Sequence, residues 1–178
     1  MATVTVLSRH GMRAEPTRPG VIVISITDPG DALLLDREWD WVLRLEFDDV
    51  SEREEILGTD IRLKNGKWGK PVPFTDEMAE IVIKVVMENP TSDFIVHCNA
   101  GVSRSVAVAR FISEETGRTL ILRGNCWSDE NANGLVLRLL HRQVWFQENA
   151  EAVEKWFQEN AEAVENSLSF NDEGGVGC

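Results

Sequence analysis

A histidine and a cysteine stand side by side in IVHCNAGVSRSVAVARFI, residues 95–112, and an arginine follows the cysteine after five intervening residues. A β-branched run precedes the pair and a helix-forming run follows it, so a strand ending at His97, a tight turn from Cys98 to Ser103 and a helix beginning near Arg104 are expected. In such an arrangement the backbone N–H groups of the turn and of the first helical residues lack intrahelical partners and make an anion cradle. Asn99, Ala100, Gly101, Val102 and Ser103 would line it. Gly101 allows the backbone to approach the bound group closely, and Arg104 offers a planar fork that grips two phosphate oxygens at once. The field that holds a phosphate also favours a thiolate, the nucleophilic form of cysteine. The chemistry to expect is attack by Cys98 on phosphorus, with His97 helping to hold the thiolate and the loop. Ser105 would donate to the sulfur as it leaves.

The run HCNAGVSRS resembles the signature of the cysteine-dependent protein tyrosine phosphatase superfamily, in which His-Cys is followed by five residues and then Arg-Ser or Arg-Thr. It is most similar to the dual-specificity branch. The resemblance covers residues 21–142, where VISITDP, LRLEFDD, PFTDEMAEIVIKVV and NANGLVLRLL look like a bacterial and phage set of such proteins. It implies a dual-specificity phosphatase-like fold and hydrolysis of phosphotyrosine, extending to phosphoserine and phosphothreonine, through a phosphocysteine intermediate. No metal or cofactor is implied. Rhodanese-like domains also head such a loop with cysteine, but the Gly-x-Ser-Arg-Ser ending favours the phosphatases. Asn99, Ala100 and Val102 supply no lysine, which relatives acting on phosphoinositides often carry there.

A phosphomonoester also needs a carboxylic acid to protonate the leaving oxygen and then to activate water. The family's aspartate follows a strand end, and laying that pattern on LRLEFDDVS puts it at Asp49, with Asp48 the next choice. Asp48 taken alone reads as a turn cap. Asp60 and then Asp76 rank below them, Asp76 because an acidic residue at a helix start is expected for dipole reasons. The interval from Asp49 to Cys98 is longer than in most relatives, owing to an insertion at 51–74.

These residues need a scaffold, and strands alternating with helices predict one α/β domain with a mostly parallel central sheet flanked by helices. Strands are expected at 3–7, in GVIVISITDPG, in WVLRLEF and in DFIVH. A short helix is one reading of DALLLDREW. The segment 50–74 reads as irregular, apart from a hairpin around Asn65-Gly66. That hairpin carries Arg62, Lys64, Lys67 and Lys70 with Trp68 among them. It is either a device that draws in an acidic, phosphorylated substrate or a solvated hairpin without contact to one. Thr75 is the expected N-cap of a helix with Met78, Ala79, Ile81, Val82, Val85 and Val86 on one face, stopped by Asn89-Pro90. Residues 105–116 form the next helix, closed by Gly117, and a last one starts near Asn131 or Asn133 and runs without a breaker to about Leu168.

That last stretch contains WFQENAEAVE twice, at 145–154 and 156–165. Eleven residues are very nearly three helical turns, so both copies face the same way, with Phe146, Ala150, Val153, Phe157, Ala161, Val164 and Leu168 in one stripe. The repeat is a lengthened last helix or a partner-docking, self-associating one. Residues 1–142 are thus read as the phosphatase domain, 143–168 as a helical extension and 169–178 as a flexible tail.

The formal net charge of −12 disfavours a broad grip on nucleic acid or anionic lipid, and the resemblance implies a phosphorylated protein or peptide as the partner. Cys98, Cys126 and Cys178 are too few and too widely spaced for a disulfide framework or a paired metal-ligand motif. MATVTVLSRHGMR lacks the apolar core of a signal peptide, and a reduced cytoplasmic setting is expected. Cys126 is either a resolving thiol for oxidised Cys98 or a small buried residue. His10 and His141 have no partner spacing and read as surface or helix residues. Three other functions compete with the phosphatase: a phosphate-binding module without a working acid, an RNA 5′-phosphatase, and a sulfur-transfer or arsenate-reducing enzyme using Cys98 with Cys126.

Overall fold

Runs such as VTVL, IVISIT and FIVH are too short and too β-branched for stable helices, and their burial on both faces suits the interior of a parallel sheet. In the computed structural model, which describes residues 1–31, 38–58, 60–63, 66–124, 128–156, 158 and 160, they form β1 (Thr3–Ser8), β2 (Ile22–Thr27) and, further along the chain, β6 (Phe94–Cys98). With β3 (Trp41–Glu46) and β7 (Thr119–Leu122) they build a five-stranded parallel sheet in the order β3-β2-β6-β1-β7. The central strand β6 lies between β1 and β2, with Val96 level with Val6 and Ile24, and His97 level with Leu7 and Ser25. The loop that follows β6 therefore emerges between the C-terminal ends of two other strands, where open α/β sheets bind their ligands.

Side chains alternate across the sheet, so each face has its own cover. Leu7, Val23 and Ile95 pack with Val21 and with Met12 of helix α1 (Arg9–Ala14), and Trp39 and Val42 lie against them. The rest of the core is furnished by Val4, Val6, Ile24, Phe94 and Val96 of the sheet and by three helices. These are α3 (Asp76–Glu88), α4 (Arg104–Thr116) and the start of α5 (Gly134–Glu148). Thr75 caps α3 as expected, its hydroxyl accepting from the Met78 N–H at 3.4 Å. The buried face of α3 is Ala79, Val82, Ile83 and Val86, and Ile81, expected on it, is exposed. At 3.6 residues per turn Ile81 lies opposite Ala79, whereas Ile83 completes the i, i+3, i+4, i+7 pattern. Gly117 closes α4 with φ 68° and donates to the Ser113 carbonyl.

The expected hairpin is present as β4 (Ile61–Arg62) antiparallel to β5 (Trp68–Gly69). Gly66 closes the turn with a left-handed φ of 80°, its N–H donating to the Leu63 carbonyl at 2.8 Å. The reading of 50–74 as otherwise irregular is corrected by α2 (Glu52–Leu57), held by a capping box between Ser51 and Glu54. Helix α1 and strand β7 are additions to the expected elements. The last helix is interrupted: α5 ends at Glu148, a turn occupies Asn149, and helix resumes over 150–156. Asn149 turns its Nδ2 back to the Trp145 carbonyl at 2.7 Å, the local bonding by which asparagine competes with a helix. Asn160 repeats that bond to Trp156 in the second copy of the repeat, at 2.8 Å. The described chain falls into two compact units, Met1–Gln143 and one that begins at Val144. Residues 32–37, on which the reading of DALLLDREW rests, the thiols Cys126 and Cys178, and the stripe positions from Phe157 onward lie outside the described residues. No helix among the described residues is long and apolar enough to cross a membrane.

Candidate active site

Cys98 closes β6 and its thiol is buried at the floor of the loop that leads into α4. The Gly101 N–H points at Sγ from 3.3 Å, and the Ser105 hydroxyl lies 3.1 Å from it. Gly101 has φ 75°, and a Cβ there would stand 2.7 Å from the Ser8 nitrogen and 2.9 Å from the Leu7 carbonyl carbon and oxygen. The loop thus lies directly on the end of β1, and no side chain fits beneath it. Ser103 immediately precedes α4, but its hydroxyl makes no capping bond. It donates instead to Asp49 Oδ1 at 2.8 Å. Ala100 and Val102 carry no hydrogen-bonding side chain and present the loop's outer surface, Ala100 exposed and Val102 half-buried.

Arg104 is buried, which is tolerable for a guanidinium only when its donors and charge are matched. One terminal nitrogen does most of this: Nη1 donates to the Phe47 carbonyl at 2.5 Å and pairs with Asp28 Oδ1 at 2.8 Å. The Phe47 ring lies 5.8 Å from the guanidinium carbon, within cation–π range. The Nε–H, by contrast, is buried and has no hydrogen-bond partner, with Asp49 Oδ2 3.9 Å away. The arginine is anchored on one edge and offers the other.

The residues brought together here come from four strand ends: Ser8 of β1, Asp28 after β2, Phe47 to Asp49 after β3, and Cys98 of β6. Asp49 sits at the rim, about half exposed, its Oδ1 accepting from both Ser103 and Asn133 Nδ2 at 2.8 Å. Asn133 also donates to the Val50 carbonyl at 2.9 Å and caps α5 by accepting from the Val136 N–H at 3.1 Å. Asp48 points elsewhere, its Oδ2 accepting from the Val72 N–H at 2.9 Å. Asp60 pairs with Lys70, and Asp76 with Arg142. Among the four candidate acids, Asp49 alone is placed beside the loop arginine.

His97 does not do what its position beside Cys98 suggests. Strand alternation turns it to the opposite face of the sheet, level with Leu7 and Ser25. It is fully buried, and neither ring nitrogen has a hydrogen-bond partner. Burial, then the positive charges of Arg9 and Arg44, push its pKa down to about 4, so the imidazole is neutral at physiological pH. It makes no hydrogen bond to the loop or to the thiol.

Three contributors lie outside the site residues expected from the sequence. Asp28 reads there only as the start of a turn. Its Oδ2 accepts from Asn99 Nδ2 at 2.5 Å while Oδ1 holds Arg104. Arg9 belongs to no motif, but its backbone N–H donates to the Asn99 carbonyl at 3.2 Å and its side chain pairs with Asp31 at 2.5 Å. Asn133 reads only as a helix start, and the NANG run that marks it as an N-cap is the available signal. Beside Asp28 a cleft of about 500 Å3 opens between the turn 28–31 and the hairpin segment, with Leu63, Lys70 and Val72 on its far wall. The insertion therefore borders the site, while its Lys70 is engaged by Asp60 and the Gly58 carbonyl. Compared with family models, with curated proteins and with solved structures, the chain shows no match.

Proposed function

We propose that this chain is a phosphatase of the dual-specificity-like kind that hydrolyses phosphotyrosine, and also phosphoserine and phosphothreonine, through a phosphocysteine. The observation that carries the reading is the buried, unpartnered Nε–H of Arg104, set in the same loop as a thiol that already has the Gly101 N–H and the Ser105 hydroxyl beside it. A buried donor without an acceptor costs roughly 1–3 kcal/mol, and an oxyanion seated in the loop supplies that acceptor. Substrate oxygens would lie on the loop N–H groups and on Arg104, whose charge stabilises the equatorial oxygens as the bond order at phosphorus shifts.

In the first step Sγ of Cys98 forms a bond to phosphorus, the ester P–O bond breaks, and Asp49 gives its proton to the leaving oxygen. In the second, water attacks phosphorus, Asp49 takes back a proton, the S–P bond breaks, and Ser105 donates to the departing sulfur. Inorganic phosphate is the product. The partner is a phosphorylated protein or peptide, and a reducing, cytoplasmic setting would keep the thiol competent.

A second reading, a phosphate-binding module with little turnover, is favoured by one observation: Oδ1 of Asp49 already accepts two hydrogen bonds. One experiment separates the two. Wild-type, Cys98→Ser and Asp49→Asn proteins are assayed on aryl phosphates of graded leaving-group acidity. The phosphatase reading expects no turnover from Cys98→Ser, which still binds phosphate, and a loss in Asp49→Asn that grows as the leaving group worsens. Phosphate binding without turnover in the wild type would establish the module instead.

A further inference from the structure

We infer that Asp28 is the positioning residue for Arg104, an inference that rests on the phosphatase reading above. Its carboxylate reaches both ends of the loop: Oδ2 takes the Asn99 amide at 2.5 Å, one residue past the nucleophile, and Oδ1 takes Arg104 Nη1 at 2.8 Å. The Phe47 carbonyl holds the same nitrogen at 2.5 Å. Two acceptors from two different strand ends fix one edge of a planar group, and a planar group fixed on one edge presents the other in a single orientation. That other edge is the buried Nε–H. Asp28 is itself secured through Asn99, whose carbonyl accepts from the Arg9 N–H at 3.2 Å and whose Oδ1 lies 3.5 Å from Arg9 Nη1. Arg9 in turn pairs with Asp31. Without Asp28 the guanidinium keeps one neutral acceptor and can swing.

Charge alone and positioning predict opposite signs. Deleting a carboxylate beside an anion site should tighten anion binding if only Coulomb repulsion matters. If Asp28 aims Arg104, the same deletion weakens it, and weakens a transition-state mimic more than the product. The test measures competitive inhibition of aryl phosphate hydrolysis by orthovanadate and by inorganic phosphate. The proteins are the wild type, Asp28→Ala, Asp28→Asn and the exchange variant that combines Asp28→Asn with Asn99→Asp.

In Asp28→Ala, vanadate inhibition should weaken about 10-fold or more and phosphate inhibition less than about 3-fold, with kcat falling more than KM rises. The exchange variant should return vanadate inhibition to within about 3-fold of wild type, because the amide introduced after β2 can still accept from Arg104 and donate to the carboxylate introduced in the loop. A purely structural loss would lower the melting temperature and affect both inhibitors alike, and that outcome would overturn the inference. Should Asp28→Ala not fold, Asp28→Asn and the exchange variant carry the same comparison. Vanadate binding as tight as wild type or tighter in Asp28→Ala or Asp28→Asn would also overturn it and leave the phosphatase reading standing. A wild-type protein that neither hydrolyses aryl phosphates nor binds vanadate would overturn both.

Discussion

Replacing His97 by leucine should change how this protein responds to acid, by an amount that follows from its burial. The wild-type imidazole is fully enclosed, has no hydrogen-bond partner on either nitrogen, and is held to a pKa of about 4 against an ordinary 6.5. Between those two values the unfolded chain binds more protons at this residue than the native one, so stability falls as pH falls. Above about pH 6.5 His97 costs nothing through this linkage. The loss then accumulates at about 1.4 kcal/mol per pH unit, reaching about 2.5 kcal/mol near pH 4.5. Leucine does not titrate and forfeits no hydrogen bond. Carboxylates that titrate over the same range are common to both proteins and cancel in the difference. Urea unfolding followed by fluorescence of the six tryptophans gives both stabilities across the range. The stability difference should be constant from about pH 8 to pH 7 and then move in favour of His97→Leu by about 2.5 kcal/mol near pH 4.5. A difference that stays flat to pH ~4.5, or moves in favour of the wild type, would refute this account, because it would mean that the folded protein accommodates the imidazolium.

Two further substitutions probe the loop and its brace. Gly101→Ala must place a methyl 2.7 Å from the Ser8 nitrogen at a left-handed φ of 75°. It should cost at least about 2 kcal/mol in thermal unfolding and lower kcat/KM on aryl phosphates about 100-fold or more, since the Gly101 N–H is carried away from the sulfur. Asn133→Ala removes the α5 cap and a donor to Asp49 together. It should lose about 1–2 kcal/mol of stability, and in steady-state assays it should slow poor leaving groups more than good ones.

The parts of this site that are legible in the sequence are those written locally. Cys98 to Ser105 announces a strand, a turn and a helix within one short window, and Thr75 and the Asn65-Gly66 pair state their roles within a few residues. The parts that escape such a reading depend on distant partners. Asp28 meets Asn99 across 71 positions, and Asn133 meets Asp49 across 84. Nothing in TDPG distinguishes a turn that ends a strand from one whose carboxylate is also committed elsewhere. The misplacement of Ile81 is of another kind, because a run of apolar residues around a helix leaves the buried face ambiguous until the sheet selects it. Helix α2 is too short for periodicity to reveal, although its Ser-x-x-Glu capping box is readable. The orientation of His97 also follows from strand alternation, once Cys98 is taken to face the loop.

Because the loop arginine is held by the carbonyl that follows β3 and the carboxylate that follows β2, it is fixed only after β2 has docked on β6 and β3 on β2. A chain still missing its β3 edge would carry the thiol and the turn, yet lack half the anchor that aims the guanidinium. On the proposed reading, reactivity toward phosphate esters should therefore be among the last properties acquired during folding, and the first surrendered when the β3 edge loosens.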